Sequence, residues 1–303
     1  MAKSKSISAA AAKPAKQLIY MQKHKVFIYI FLPILLILSG WVIFNQYIRP
    51  HHFQLLYPYS NFQFKYSHIS QNRLGKDKRI QIFIPEGAAI VGKEAYEETI
   101  VIDSFWIDQI PVTVGDYKIF LSQTNNLAPR YRGEYSKYWW EKQYELLPIV
   151  FVSWDQAENY CEYYGGHLPT EAQWEKTARG PAGVILYWND MKKAYNKANY
   201  DNFFNGSTFS GWQPAGKTIY GILDMSGNVR EWVLDWINEP DQNVSQEPWL
   251  QIKNQKSDKS DSGRILKGGS FIDDLSHLRL NYRDFHDPNS PGVNRGFRCV
   301  YDN

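Results

Sequence analysis

Apolar and polar positions follow three regimes along this chain. The first is a single block: Val26 to Phe44 (VFIYIFLPILLILSGWVIF) contains no charged residue, a length suited to the hydrocarbon core of a bilayer. Lys3, Lys5, Lys13, Lys16, Lys23 and Lys25 precede it with no acid among them, and Trp41, Phe44 and Tyr47 stand at its exit like interfacial anchors. A cleavable signal would show a shorter apolar core and a small-residue exit. The pattern predicts a cytoplasmic basic tail (1–25), one transmembrane helix (26–46), a stalk and lead-in (47–80) and a folded domain (81–303). Lysine asymmetry puts the N-terminus in the cytoplasm and the C-terminal domain in the periplasm or outside the cell, anchored by a single pass in the inner (cytoplasmic) membrane.

The second regime mixes alternation with helical stripes. Gln81–Pro85 alternates and turns at Glu86-Gly87, and Thr99–Ile107 (TIVIDSFWI) reads as one strand. Thr113 is placed to cap a helix with Tyr117, Phe120 and Leu121 on its apolar face. Ser153 with Gln156 forms a capping box ahead of a stripe of Trp154, Ala157, Cys161 and Tyr164, stopped by Gly165-Gly166. A second box, Thr170 with Gln173, opens another helix that ends near Gly180. Past residue 181 helical periodicity disappears and Gly, Asn and Asp turns take over, with a polar insertion at 239–263.

Composition narrows the class. At 44% apolar, 16% aromatic and 21% charged, with two cysteines among 303 residues, the chain is neither disordered nor collagen-like nor a disulfide framework. The net charge of +3 sits largely in the basic tail, so no nucleic-acid partner is expected. No nucleophile elbow, zincin, Walker or dinucleotide motif occurs, and the histidines show no ligand spacing. The aromatic loop holding Tyr131, Tyr135, Tyr138, Trp139 and Trp140 is either a binding rim or ordinary packing.

Four segments carry a resemblance: LPIVFVSWDQAENYCEYYGGHLPTEAQWEKTARG (147–180), YGILDMSGNVREWVLDW (220–236), RILKGGSF (264–271) and GFRCV (296–300). In this order they resemble the formylglycine-generating enzyme (sulfatase-modifying factor) domain family. The resemblance implies an α+β, irregular and loop-rich fold related to C-type lectins, here preceded by the transmembrane helix. Its enzymes use copper(I) held by two cysteines. Aligned from Ser270 those cysteines fall on Asp273 and Leu278; aligned back from Arg283 they fall on Asp274 and Arg279. Neither pair offers the soft sulfur that copper(I) requires, so copper is not expected and copper-dependent formylglycine synthesis is predicted absent. A family tryptophan in the G-N-x-W-E-W segment is here Arg230.

The resemblance also matches Cys161 and Cys299 to a structural disulfide, the other reading being two buried thiols. It matches Asp224, Gly227, Val229 and Glu231 to a structural calcium site, a spacing that offers two carboxylates and two carbonyls to a hard cation; otherwise Glu231 pins loop amides. A weaker second calcium site would use Asn199 and Tyr200. Asp273, Asp274, His277, Arg279, Asp284 and His286 form the candidate pocket, whose histidines and carboxylates would be the ligand set if iron(II) were used. Arg179, Arg283 and Arg298 are expected to bridge loops, and Glu171 and Glu175 to support a helix start. The expected function is a membrane-anchored extracytoplasmic domain that binds or helps mature a periplasmic protein or peptide. A non-heme iron oxidase or maturation enzyme, and a carbohydrate-binding lectin-like module, are the other readings.

Overall fold

The computed structural model describes residues 71–92, 97–130, 141–186, 194–238 and 262–303. The basic tail, the 26–46 segment, most of the lead-in, the aromatic loop at 131–140 and the insertion through residue 261 lie outside them. Among the described residues no helix is long and apolar enough to cross a membrane. The chain divides into a unit over Met1–Gln63 and a compact unit over Phe64–Asn303, and only the second is described here.

Three short helices are set where their caps dictate. Thr113, Ser153 and Thr170 each accept a hydrogen bond from the backbone three residues on, while Asp116, Gln156 and Gln173 reach back to the cap N–H. These reciprocal boxes satisfy orphan donors at the starts of α1 (Val114–Gln123), α2 (Trp154–Tyr163) and α3 (Glu171–Arg179). Gly165 at φ +84 and Gly180 at φ +62 then turn the chain out of α2 and α3.

The strands are β1 (Asn72–Leu74), β2 (Ile80–Ile84), β3 (Gly87–Val91), β4 (Glu98–Ile102), β5 (Phe105–Asp108), β6 (Arg230–Asn238), β7 (Ser262–Lys267), β8 (Asp284–His286), β9 (Arg295–Gly296) and β10 (Val300–Tyr301). One antiparallel sheet runs β1-β2-β5-β10, a ribbon pairs β3 with β4, and the third sheet runs β8-β7-β6-β9 with β6 and β9 parallel. Because β1 pairs with β2, the domain reaches back past residue 81 into the predicted lead-in. The continuous strand read over Thr99–Ile107 breaks at Asp103-Ser104. Its first half pairs with β3 in the ribbon and its second half with β2 and β10; Ile100 packs near Ala172, Phe105 and Ile107 enter the core with Trp174, and Ile102 touches both clusters. The fold is α+β with few helices.

Two larger apolar clusters, with two smaller ones around Tyr200 and Ala172, fill the interior. One is aromatic: Tyr117, Phe120, Tyr160 and Phe297 meet ring to ring between α1 and α2, with Tyr117 and Tyr160 stacked at 5.6 Å. The other surrounds Trp174 with Ile82, Ile84, Ile107, Ile222, Val233 and Ile265. The Cys161–Cys299 disulfide, with Cα atoms 5.4 Å apart, ties α2 to the segment before β10.

Charges are buried between these clusters. Arg298 grips Glu231 through Nε and Nη2 at 2.7 Å each and donates to the carbonyls of Asp108, Gln109 and Leu223. Lys267 bridges Glu171 (3.2 Å) and Glu175 (2.7 Å), whose other oxygens take Arg283 and Arg179. The two glutamates therefore hold a cationic lattice together as well as opening α3. The three arginines bridge loops as expected.

Candidate functional site

The candidate site gathers around the paired starts of β6 and β9 and the segments on either side of β8. Arg230, at the start of β6, sits at its centre. Its Nη2 donates to Asp273 Oδ1 at 2.6 Å and its Nη1 to Asp284 Oδ2 at 2.9 Å. Asp273 Oδ2 also accepts from Ser270 Oγ at 2.5 Å, and Ser270 accepts from Asn294 Nδ2 at 3.0 Å. Burial, then the nearby Arg295 charge, pulls the His286 pKa below its ordinary value; its Nε2 lies 3.8 Å from Asp284.

The other half of the predicted pocket is separate. Asp274 caps a short 3-10 turn over Leu275–Leu278, accepting from Ser276 N–H (2.9 Å) and Oγ (2.5 Å) and from His277 Nδ1 (2.8 Å). The hydrogen bonds from Ser276 and His277 push its pKa down to about 2. Arg279 donates from Nε to the Ser276 carbonyl on the surface. The six residues thus split into a clamp (Asp273, Asp284, with His286 beside it) and a solvent-facing turn (Asp274, His277, Arg279). Among the described residues no group of three or more His, Cys, Asp or Glu side chains is arranged to hold a metal ion. The His–carboxylate set considered for iron is not assembled, because Arg230 holds both clamp carboxylates.

The positions aligned with the copper cysteines carry no sulfur. Asp273 is clamped, Leu278 is fully buried beside Ala198 and Tyr200, and Asp274 and Arg279 are engaged in their turn. Both cysteines of the chain are joined to each other.

The predicted calcium loop has mixed chemistry. Asp224, at φ +59, accepts from Gly211 N–H (2.7 Å) and Asn228 Nδ2 (3.2 Å), and burial raises its pKa to about 6. Gly227, at φ +85, is required here, since a Cβ would lie 2.4 Å from the Asn199 carbonyl. Asn199 Oδ1 is buried with no donor, an acceptor that a cation would satisfy. The Tyr200 carbonyl, by contrast, accepts the Phe203 N–H at 3.0 Å. Glu231 is saturated: Arg298 takes both oxygens and Trp174 Nε1 adds a bond at 2.8 Å. Of the first predicted calcium set, Asp224 is occupied by Gly211 and Asn228, and Glu231 would reach a cation only by loosening Arg298; of the second, the Asn199 oxygen lacks a donor. The proposed rim residues Tyr135, Tyr138, Trp139 and Trp140 lie outside the described residues.

Sequence reasoning passed over Arg295. It gives no signal on its own, because its significance depends on the parallel pairing that sets it opposite Arg230.

Fold and motifs together define a member of one family. Residues 67–303 match the sulfatase-modifying factor enzyme 1-like domain, and the chain belongs to that family. The formylglycine-generating enzyme of Thermomonospora curvata is 30% identical over 51% of this chain and 55% of its own length. The serine/threonine-protein kinase pkn1 of Chlamydia pneumoniae is 29% identical over 66% of this chain and 33% of its own. The inactive C-alpha-formylglycine-generating enzyme 2 of Bos taurus is 31% identical over 51% of this chain and 50% of its own. The chain thus spans between a third and about half the length of these relatives. Two solved structures share the fold. PvdO from Pseudomonas aeruginosa has a TM-score of 0.61 at 19% identity, covering 78% of this chain and all of that one. Treponema denticola variable protein 1 has a TM-score of 0.56 at 18% identity with the same coverage.

Proposed function

We propose that this chain is a membrane-anchored, extracytoplasmic sulfatase-modifying-factor-like domain that binds, or helps mature, a periplasmic protein and has no copper-dependent formylglycine-generating activity. One observation carries the reading: both cysteines are joined in a disulfide, so no thiol remains, and Asp273, one of the positions aligned with the copper cysteines, is ion-paired to Arg230. Copper(I) needs soft ligands, and a cluster of guanidinium and carboxylate groups is suited to polar contact instead. The disulfide supports an oxidising compartment, and the lysine-flanked apolar segment supports the anchor.

The test uses the full chain purified from membranes. Incubated with copper(I), oxygen and a cysteine-containing sulfatase-type peptide, it is expected to leave the thiol unchanged by mass spectrometry. Aldehyde formation would overturn the proposal. Recovery of the chain in a carbonate-washed soluble fraction, or of Cys161 and Cys299 as free thiols, would overturn the anchor and compartment.

A further inference from the structure

We propose that the tip of the β1–β2 hairpin, where Leu74 and Ile80 are flanked by Lys76 and Lys78, docks on the surface of an anionic lipid bilayer. This rests on the reading that the chain is membrane-anchored, and it adds a second contact with the same membrane.

The hairpin turns through Gly75-Lys76-Asp77-Lys78. Gly75 N–H donates to the Arg79 carbonyl and Lys78 N–H to the Gly75 carbonyl, both at 2.9 Å. Apolar side chains stand in the open at this end of the sheet: Leu74 is 69% exposed and Ile80 36%. The two are register partners across the hairpin, so they lie side by side on one face. Ile82 and Ile84, on the same face of β2, are fully buried, whereas Leu74 and Ile80 overhang the core.

Charge at the tip is sorted by sign. Its one acid, Asp77, is turned inward with 2% of its side chain exposed; Oδ1 accepts the Arg79 N–H at 3.1 Å and Oδ2 the Tyr160 hydroxyl at 3.3 Å. Lys76 and Lys78 are exposed, and among the described residues neither pairs with a carboxylate. Lys76 Nζ passes over Gly165 at the end of α2, where a Cβ would sit 2.9 Å from it. Lys78 holds φ +65, a region that Gly or Asn adopts at less cost, so the turn keeps a cation against backbone preference. Below the tip, buried Arg79 donates to Asp116 and lies 3.4 Å from Asp108, which holds the base of the hairpin in place.

Two exposed aliphatic side chains beside two unpaired ammonium groups match the headgroup boundary of a bilayer, where apolar chains sink and lysines reach phosphate. Val101 on β4 is as exposed, at 72%, but its strand carries the exposed acids Glu98 and, just beyond it, Asp103, which an anionic surface repels. Chain connectivity favours lipid over a soluble acidic partner. The segment 47–70 follows the predicted membrane helix and spans no more than roughly 80 Å even when fully extended. Docking on that membrane is therefore intramolecular, and a small patch suffices.

The test uses the full chain carrying a nitrobenzoxadiazole label on Leu74→Cys, reconstituted into phosphatidylcholine nanodiscs with or without phosphatidylglycerol. Cys161 and Cys299 are buried in their disulfide and do not take the label. In anionic discs the emission is expected to shift to the blue and to be quenched by nitroxide lipids, more than in zwitterionic discs and less at high salt. Each lysine near an anionic surface is worth about a fivefold change in the docked-to-free ratio, so Lys76→Gln with Lys78→Gln should lower that ratio about 25-fold. The same label on Val101→Cys should stay in water in both kinds of disc. Equal quenching in the two kinds of disc, quenching unchanged by the lysine substitutions, or equal quenching at position 101 would each overturn the proposal. Protection of the label by polyglutamate in micelles, with none in anionic discs, would assign the hairpin to an acidic protein and overturn it as well. Recovery of the chain in the carbonate-washed soluble fraction would sink the anchor and this inference with it, whereas an incorporated chain whose label stays in water would sink this inference alone.

Discussion

Replacing both disulfide cysteines with alanine tests the largest single covalent contribution to this fold. Cys161 and Cys299 are fully buried and separated by 138 residues. In the chain-entropy treatment, closing a loop of that length removes denatured-state freedom worth about 5 kcal/mol at 25 °C. Alanine leaves no buried polar atom, and the lost sulfur contacts add roughly 1 kcal/mol. Residual structure in the unfolded chain lowers the observed value, so a loss of about 3–5 kcal/mol is expected, a large share of the stability of a domain this size. Urea unfolding of the full chain in micelles, followed by the fluorescence of buried Trp174 and Trp232, reads it directly. The midpoint should fall and the slope should rise, because the uncrosslinked denatured chain exposes more surface. A loss under about 1 kcal/mol would refute the reasoning, because it would mean that the ends of this loop are already held together in the unfolded ensemble.

Glu231→Gln leaves the fully buried Arg298 guanidinium without its counter-charge and should cost about 3–5 kcal/mol, seen as a lowered unfolding midpoint. Asp108, buried beside Arg79, has its pKa pushed up to about 7, chiefly by burial. A carboxyl whose folded pKa is raised stabilises the fold at low pH and loses that contribution as pH rises from about 4 to 7. Asp108→Asn, which can still accept the Cys299 N–H, should therefore flatten stability against pH across that window. Millimolar calcium should raise the unfolding midpoint of the wild-type chain but not of Asp224→Ala; an equal response in both would assign the loop no calcium role.

The three helices were legible because capping is local: Thr113, Ser153 and Thr170 are read from their own neighbourhoods, and Gly165 and Gly180 close the second and third. The break at Asp103-Ser104 was not, because TIVIDSFWI is uniformly strand-like and only the different strand partners, β3 before the break and β2 after it, divide it. The cysteine pairing came from the family resemblance and not from local pattern. The candidate pocket was half legible. Asp273 and Asp284 do meet, but through Arg230, which enters from a strand more than forty residues earlier. Asp274 and His277, adjacent in sequence to the clamp, bond within their own turn instead. Proximity along the chain could not tell a shared groove from a neighbouring turn, and Arg295 was invisible until β9 was set beside β6.

The stitching of β10 to β5 and of Cys299 to Cys161 has a consequence for biosynthesis. Ribosomes deliver the first half of this domain well before the residues that close it. Until Val300 and Tyr301 emerge, β5 offers an open edge and Cys161 an unclaimed thiol. The order of synthesis therefore makes the β5–β10 pairing and the disulfide late events in the folding of this domain.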